Sequence, residues 1–154
     1  MVRIKDTNLW MNIIKNSSVW IDDKFNNTFS IFGGLSENCS VIPAEGNLTI
    51  IIAPNSTGSL SLLYYLSQDN TSRIEACRLV VVARSSESAV SLRMTIYGAN
   101  KNYTTTFKAM DNPLSLYALY MYNKEKVRAI ELTFKIDVNS HEYITIEIMF
   151  VALI

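Results

Sequence analysis

The stretch Ala89-Val90-Ser91-Leu92-Arg93-Met94-Thr95-Ile96-Tyr97-Gly98 decides how this chain is read. Val90, Leu92, Met94 and Ile96 fall on one side of an extended backbone, and Ser91, Arg93, Thr95 and Tyr97 on the other. Side chains alternate across a strand, so the pattern describes a half-buried strand with one apolar and one wet face. The polar turn Ser85-Ser86-Glu87-Ser88 leads into it, and Gly98-Ala99-Asn100-Lys101-Asn102 leads out.

The same pattern repeats on either side. Strands are predicted at 28–32, 48–53, 59–66, 74–84, 103–108, 114–122, 127–136 and 143–153, where Val, Ile, Tyr, Phe and Thr are abundant. Pro54-Asn55-Ser56-Thr57-Gly58 and Asp111-Asn112-Pro113 are turn-forming breaks, and Asn123-Lys124-Glu125-Lys126 reads as a charged turn between two strands. Ile130, Leu132, Phe134 and Ile136 face one way in 127–136, and Ile144, Ile146, Ile148, Phe150 and Ala152 share a side in 143–153. Beyond Glu147 both sides of that last strand are apolar, so it is expected to be buried on both sides or to meet a partner there. Only 69–76 offers a helical turn, which sets the expected helix content at a turn or two. The result is an all-β chain: a two-sheet antiparallel β-sandwich of nine or ten strands. Its expected core is Val90, Leu92, Met94, Ile96, Ile130, Leu132, Phe134, Ile136, Ile144, Ile146 and Ile148. Residues 1–154 read as one sandwich domain, with 1–47 less regular and suited to an N-terminal arm or long loops.

Composition excludes several function classes. Of 154 residues, 49% are hydrophobic and 18% charged, with 14 Lys+Arg balancing 14 Asp+Glu. A disordered tail needs fewer apolar residues, and a nucleic-acid coat needs a basic excess or a patch. The polar cover of 14 Asn, 16 Ser and 11 Thr repels other copies weakly and so favours packing against protein. The apolar run at 79–83 is too short to cross a bilayer, and Arg3 and Lys5 precede no apolar segment that would make a signal peptide. A virion or cytoplasmic location is expected, with no nucleic-acid partner and no membrane insertion.

Within 74–153 a long strand at 78–84 precedes a short polar turn, and a second strand at 92–98 ends in small residues. Tyr103-Thr104-Thr105-Thr106-Phe107 follows, then a loop with Asp111 and Asn112, then the alternating strand 114–122. This order resembles the galactose-binding-like jelly roll of many carbohydrate-binding modules. In that family the aromatic at Tyr103 is often Trp, and a structural calcium site near the N-terminus is common; no Asp/Glu/Asn set before Asn47 matches it. The resemblance implies a jelly-roll type of sandwich and sugar recognition. Similar jelly rolls also serve as phage and virus tail, fibre and decoration modules.

The chemistry-bearing residues form no catalytic constellation, and the chain is read as not an enzyme. His141, the one histidine, lies in the polar turn Asn139-Ser140-His141-Glu142 and reads as solvated. Cys39 and Cys77 form no C-x-x-C motif and read as reduced and unbridged. Asp22-Asp23 reads as a turn cap rather than a hard-cation site, and Glu75 and Glu147 as outward residues or partners of Arg78 or Arg93. No metal and no cofactor are expected. Sugar rings dock on aromatic faces while charged and amide groups take their hydroxyls, which makes Arg93, Tyr97 and Tyr117 the candidate ligand-binding residues. Trp10 and Trp20, with outward Met149, Val151 and Leu153, are the candidate interface.

Two functions compete at this point. The first is a non-catalytic structural or adhesive protein of a phage or virus particle, self-associating as a homo-oligomer or docking on other structural proteins. The alternative is a carbohydrate-binding module or receptor-recognition domain, with a glycan as partner.

Overall fold

A computed structural model describes residues 2–3, 7–44, 46–66 and 74–154, with side chains from Met11 onward. In chain order these residues form β1 (Val2–Arg3), α1 (Thr7–Ser17), β2 (Trp20–Asp22), β3 (Ser30–Phe32), β4 (Cys39–Ala44) and β5 (Asn47–Ile52). Then follow β6 (Gly58–Tyr65), β7 (Glu75–Ser85), β8 (Val90–Gly98), β9 (Asn102–Phe107), β10 (Ser115–Ile136) and β11 (Ile144–Leu153). Every pairing is antiparallel. The first sheet runs β4-β5-β11-β7 and the first half of β10, with β1 beside β10 and β2 beside the end of β11. The second runs β3-β6, the second half of β10, then β8-β9. The architecture is the all-β two-sheet sandwich that the alternation predicts. Nine or ten strands were expected; the described residues form eleven, of which β1 has two residues.

β10 corrects the expected turn at 123–126. Its 22 residues form one strand common to both sheets: 115–120 pair with β7, and 129–136 lie between β6 and β8. The segment between bulges, since Tyr120 opposes Arg78 while Glu125 opposes Ala76. It is charged because it forms an exposed corner, and it does not reverse because the β8–β9 turn holds it. The Glu125 carboxylate accepts from the Asn100 amide at 3.0 Å and the Tyr103 hydroxyl at 2.7 Å, and the Ala99 amide donates to the Lys126 carbonyl at 3.0 Å. These donors, the Asn100 amide first, lower the Glu125 pKa. Gly98 leaves the necessary room: a Cβ there would lie 2.5 Å from Glu125 Oε1 and 2.7 Å from the Lys101 carbonyl oxygen.

All eleven expected core residues are buried between the sheets. The last strand behaves differently from its raw alternation. Ile148 opposes Ala83 and Phe150 opposes Val82, so Met149 is an extra residue and every side chain after it changes sides. Val151 and Leu153, read as outward, therefore join the main core, 1% and 0% exposed. Phe150 and Ala152 turn to the outer face of the first sheet, where they form a second apolar cluster with Ile14, Val80 and Val82.

That cluster explains α1, which the sequence reading missed. Residues 69–73 of the expected helical turn lie outside the described residues, and β7 begins at Glu75. The helix instead occupies Thr7–Ser17, three turns rather than one or two, with Met11 and Ile14 on the outer face of the sheet. Ser17 and Ser18 hydroxyls donate to the Ile13 and Ile14 carbonyls at 2.9 and 2.6 Å, satisfying the helix end. Lys15 reaches Asp23 at 3.0 Å, tying α1 to the segment after β2. Among the described residues no helix is long and apolar enough to cross a membrane.

Candidate functional site

The outer face of the second sheet is built in rows across β3, β6, β10, β8 and β9. Pairing aligns Phe32, Ser61, Thr133, Arg93 and Thr106 in one row, and Ser30, Leu63, Glu131, Thr95 and Thr104 in the next. Tyr65, Ala129, Tyr97 and Asn102 form a third row at one end, and Ser59, Lys135 and Ser91 a fourth at the other. From Ser59 to Tyr65 the face runs roughly 20 Å along the strands.

Polar side chains on a solvent-side face are normally exposed. Here several are not: Ser61, Thr95, Glu131 and Thr133 are 5%, 8%, 9% and 7% exposed, while Arg93 of β8 and Thr104 and Thr106 of β9 are open. The floor is therefore recessed. Two depressions lie along it, one of about 610 Å³ lined by Ser59, Ser91, Arg93, Thr106, Lys108 and Lys135 among others. The second, about 380 Å³, is lined by Leu63, Tyr65, Tyr97, Arg128 and Ala129.

Hydrogen bonds hold the floor. The Tyr97 hydroxyl donates to Glu131 Oε1 at 2.8 Å, Thr133 donates to Glu131 Oε2 at 3.4 Å, and the Ser61 and Thr133 hydroxyls share a 2.8 Å bond. The bond to Glu131, and then burial, push the Tyr97 phenol above its ordinary pKa, so it stays a donor at neutral pH. Tyr65, 59% exposed, stands across Ala129 from Tyr97. The small alanine between two aromatic rings leaves a slot with aromatic walls and an apolar floor of Ala129 and Leu63, next to the polar floor at Glu131.

The structure brings together Arg93 and Tyr97 of the expected ligand set, four residues apart on β8. Tyr117 is elsewhere. It lies in the half of β10 that belongs to the first sheet, fully buried, its ring 5.0 Å from Phe107 and its hydroxyl accepting from the Asp111 amide at 2.9 Å. Sequence alternation gave no way to see that 114–122 and 89–98 belong to different layers. The partners of Arg93 and Tyr97 are instead Tyr65, Glu131, Thr133 and Lys108. Glu131, Thr133 and Lys135 were legible as the outward set of 127–136, but not their adjacency to β8.

The expected interface does not survive as a patch. Val151 and Leu153 are core, Met149 is half-buried against the second cluster, and Trp20 packs edge-on against Tyr64 at 5.3 Å. The Trp10 side chain lies outside the described residues. Asp22 is no turn cap: it is buried in β2 and accepts from the Tyr64 hydroxyl at 2.9 Å. Glu147 is ion-paired as expected of an outward residue, with Arg84 at 3.0 Å rather than Arg78 or Arg93, because β11 sets it opposite Arg84. Cys39 and Cys77 are unbridged, and His141 is exposed. No group of three or more His, Cys, Asp or Glu could hold a metal among the described residues.

No protein-family model and no curated protein matches the sequence. Solved structures do match. BiXyn10A CBM1 in its apo form superposes with a TM-score of 0.56 at 14% identity, covering 88% of this chain and 96% of that one. The family 11 carbohydrate-binding module of the cellulosomal cellulase Lic26A-Cel5E of Clostridium thermocellum gives 0.52 at 7% identity, covering 87% and 93%. The fold is the jelly roll of carbohydrate-binding modules. The same jelly roll is matched within an agarase, AgWH50C, at a TM-score of 0.54 and 11% identity, over 89% of this chain and 24% of that one.

Proposed function

We propose that this protein is a non-catalytic carbohydrate-binding module whose ligand lies along the recessed face of the second sheet. The observation that carries this reading is the slot between Tyr65 and Tyr97, floored by Ala129 and continuous with the hydrogen-bonded polar floor at Glu131. A pyranose ring presents an apolar face to an aromatic wall and hydroxyls at its rim, and the slot offers both partners at once. Glu131 keeps acceptor capacity beyond its bonds to Tyr97 and Thr133, while Arg93 and Thr106 supply donors on β8 and β9. Carbohydrate-binding-module neighbours of the same fold support the reading.

A glycan array followed by calorimetric titration of the best hit tests it. Tyr97→Ala and Tyr65→Ala are each expected to weaken binding about tenfold or more, the loss of one stacking wall. Tyr65→Ala is the cleaner of the two, since Tyr97→Ala also strips Glu131 of a donor. Thermal unfolding of Tyr65→Ala should match that of the parent. A hit that both substitutions leave untouched overturns the assignment of this face, and an array without hits overturns the function.

A further inference from the structure

The chain carries as many acidic as basic groups, yet this face does not. Arg93, Lys108 and Lys135 line the larger depression, and Arg128 lines the smaller. Against these four stand two acids, Asp137 at the end of the larger depression and Glu131 in the floor. Asp137 offsets only Lys135, at 3.5 Å. Glu131 is nine-tenths buried in that floor, its oxygens bonded to Tyr97 and Thr133. Arg93, Lys108 and Arg128 have no ion-pair partner among the described residues. Elsewhere Arg84 is paired with Glu147 and Lys15 with Asp23, while Arg78 and Lys101 lie over the rings of Tyr120 and Tyr103. Open cations concentrated on one recessed face of a neutral protein set up a local positive field.

We infer that the glycan bound on this face is anionic, carrying carboxylate or sulfate groups along its chain. The inference rests on the glycan reading above and narrows it. Arg93 sits mid-face beside Thr106 and Thr133, where its planar fork can engage two oxygens of one anionic group while the threonine hydroxyls take neutral ones. Lys108 and Arg128 lie toward opposite ends, so successive charged sugars along the face would each meet a cation. A neutral polysaccharide would leave three open cations without use.

Two matched probe pairs separate charge from shape: an oligogalacturonate with its fully methyl-esterified form, and a sulfated galactan oligosaccharide with its desulfated form. The charged member of at least one pair should bind about tenfold or more tighter at low salt, and the preference should collapse between 20 and 500 mM NaCl, roughly as screening shortens from tens of ångströms to a few. The double variant Arg93→Gln, Lys108→Gln should lose the preference, its affinity for the charged member falling to that for the uncharged one. Equal, salt-insensitive binding of both members, or hits only among neutral glucans and mannans, overturns the inference and leaves the glycan reading standing. Competition by an oligothymidylate equal to that of the uronate also overturns it, since the face would then be a general polyanion surface. Binding of no saccharide at all overturns both readings.

Discussion

Leu132→Ala is expected to lower the stability of the fold by about 2–5 kcal/mol, as read by urea denaturation. Leu132 is fully buried in the half of β10 that lies between β6 and β8, opposite Leu62 on one side and Met94 on the other. Both neighbours are themselves fully buried and held in their ladders, so the space left by three lost carbon atoms closes only in part. With an ordinary urea dependence of about 2 kcal/mol per molar, the midpoint should fall by roughly 1–2.5 M. A fall in stability below about 0.5 kcal/mol would place Leu132 outside the core.

Tyr64→Phe is the second large effect, and it acts through a polar group. Tyr64 is 1% exposed, walled by Trp20 and Phe29 at 5.3 Å each, and its hydroxyl donates to Asp22 Oδ2. Asp22 is equally buried, and its Oδ1 has no hydrogen-bond partner among the described residues. Removing the tyrosine hydroxyl leaves Oδ2 stripped as well, at a cost on the order of 3 kcal/mol. Combining it with Asp22→Leu should recover most of that loss, because the buried acceptor goes with its donor. If the single substitution is neutral, the Tyr64–Asp22 bond carries no stability.

The same pair sets an alkaline limit. Burial, and then the Asp22 charge and hydrogen bond, push the Tyr64 phenol well above its ordinary range. The folded-state pKa is thus above the unfolded value of about 10, so this contribution is fully present below that pH and is lost as the pH rises past it. One such proton corresponds to about 1.4 kcal/mol per pH unit. Tyr64→Phe should flatten the alkaline limb of the stability profile by that slope. Tyr97 and Tyr117, also shifted upward, remain to give a residual slope.

The sequence carried the core well and the layers poorly. Val90 to Ile96 and Ile130 to Ile136 could be oriented because each strand keeps one side apolar without interruption. Val151 and Leu153 could not, since one added residue at Met149 inverts the pattern and nothing in an all-apolar tail marks it. α1 was hidden for a related reason. Asn12, Ile13 and Ile14 are indifferent helix formers, and the helix is held by the outer cluster it covers rather than by its own propensity. Of the site, Arg93 and Tyr97 were legible together because one strand presents both. Tyr65 lies on β6 and Lys108 just past β9, neighbours that only the pairing reveals, and Tyr117 was misplaced because alternation along 114–122 names no layer.

A strand that belongs to both layers has a consequence for how the molecule comes apart. In a sandwich of two separately closed sheets, one layer can loosen while the other stays formed. Here 115–120 anchor the first sheet and 129–136 the second within one backbone, and the corner between them is clamped by Glu125. Stress on either layer is transmitted along β10 to the other. The slowest-exchanging amides of Tyr117 and Leu132, in opposite layers, should therefore report the same opening free energy, that of global unfolding.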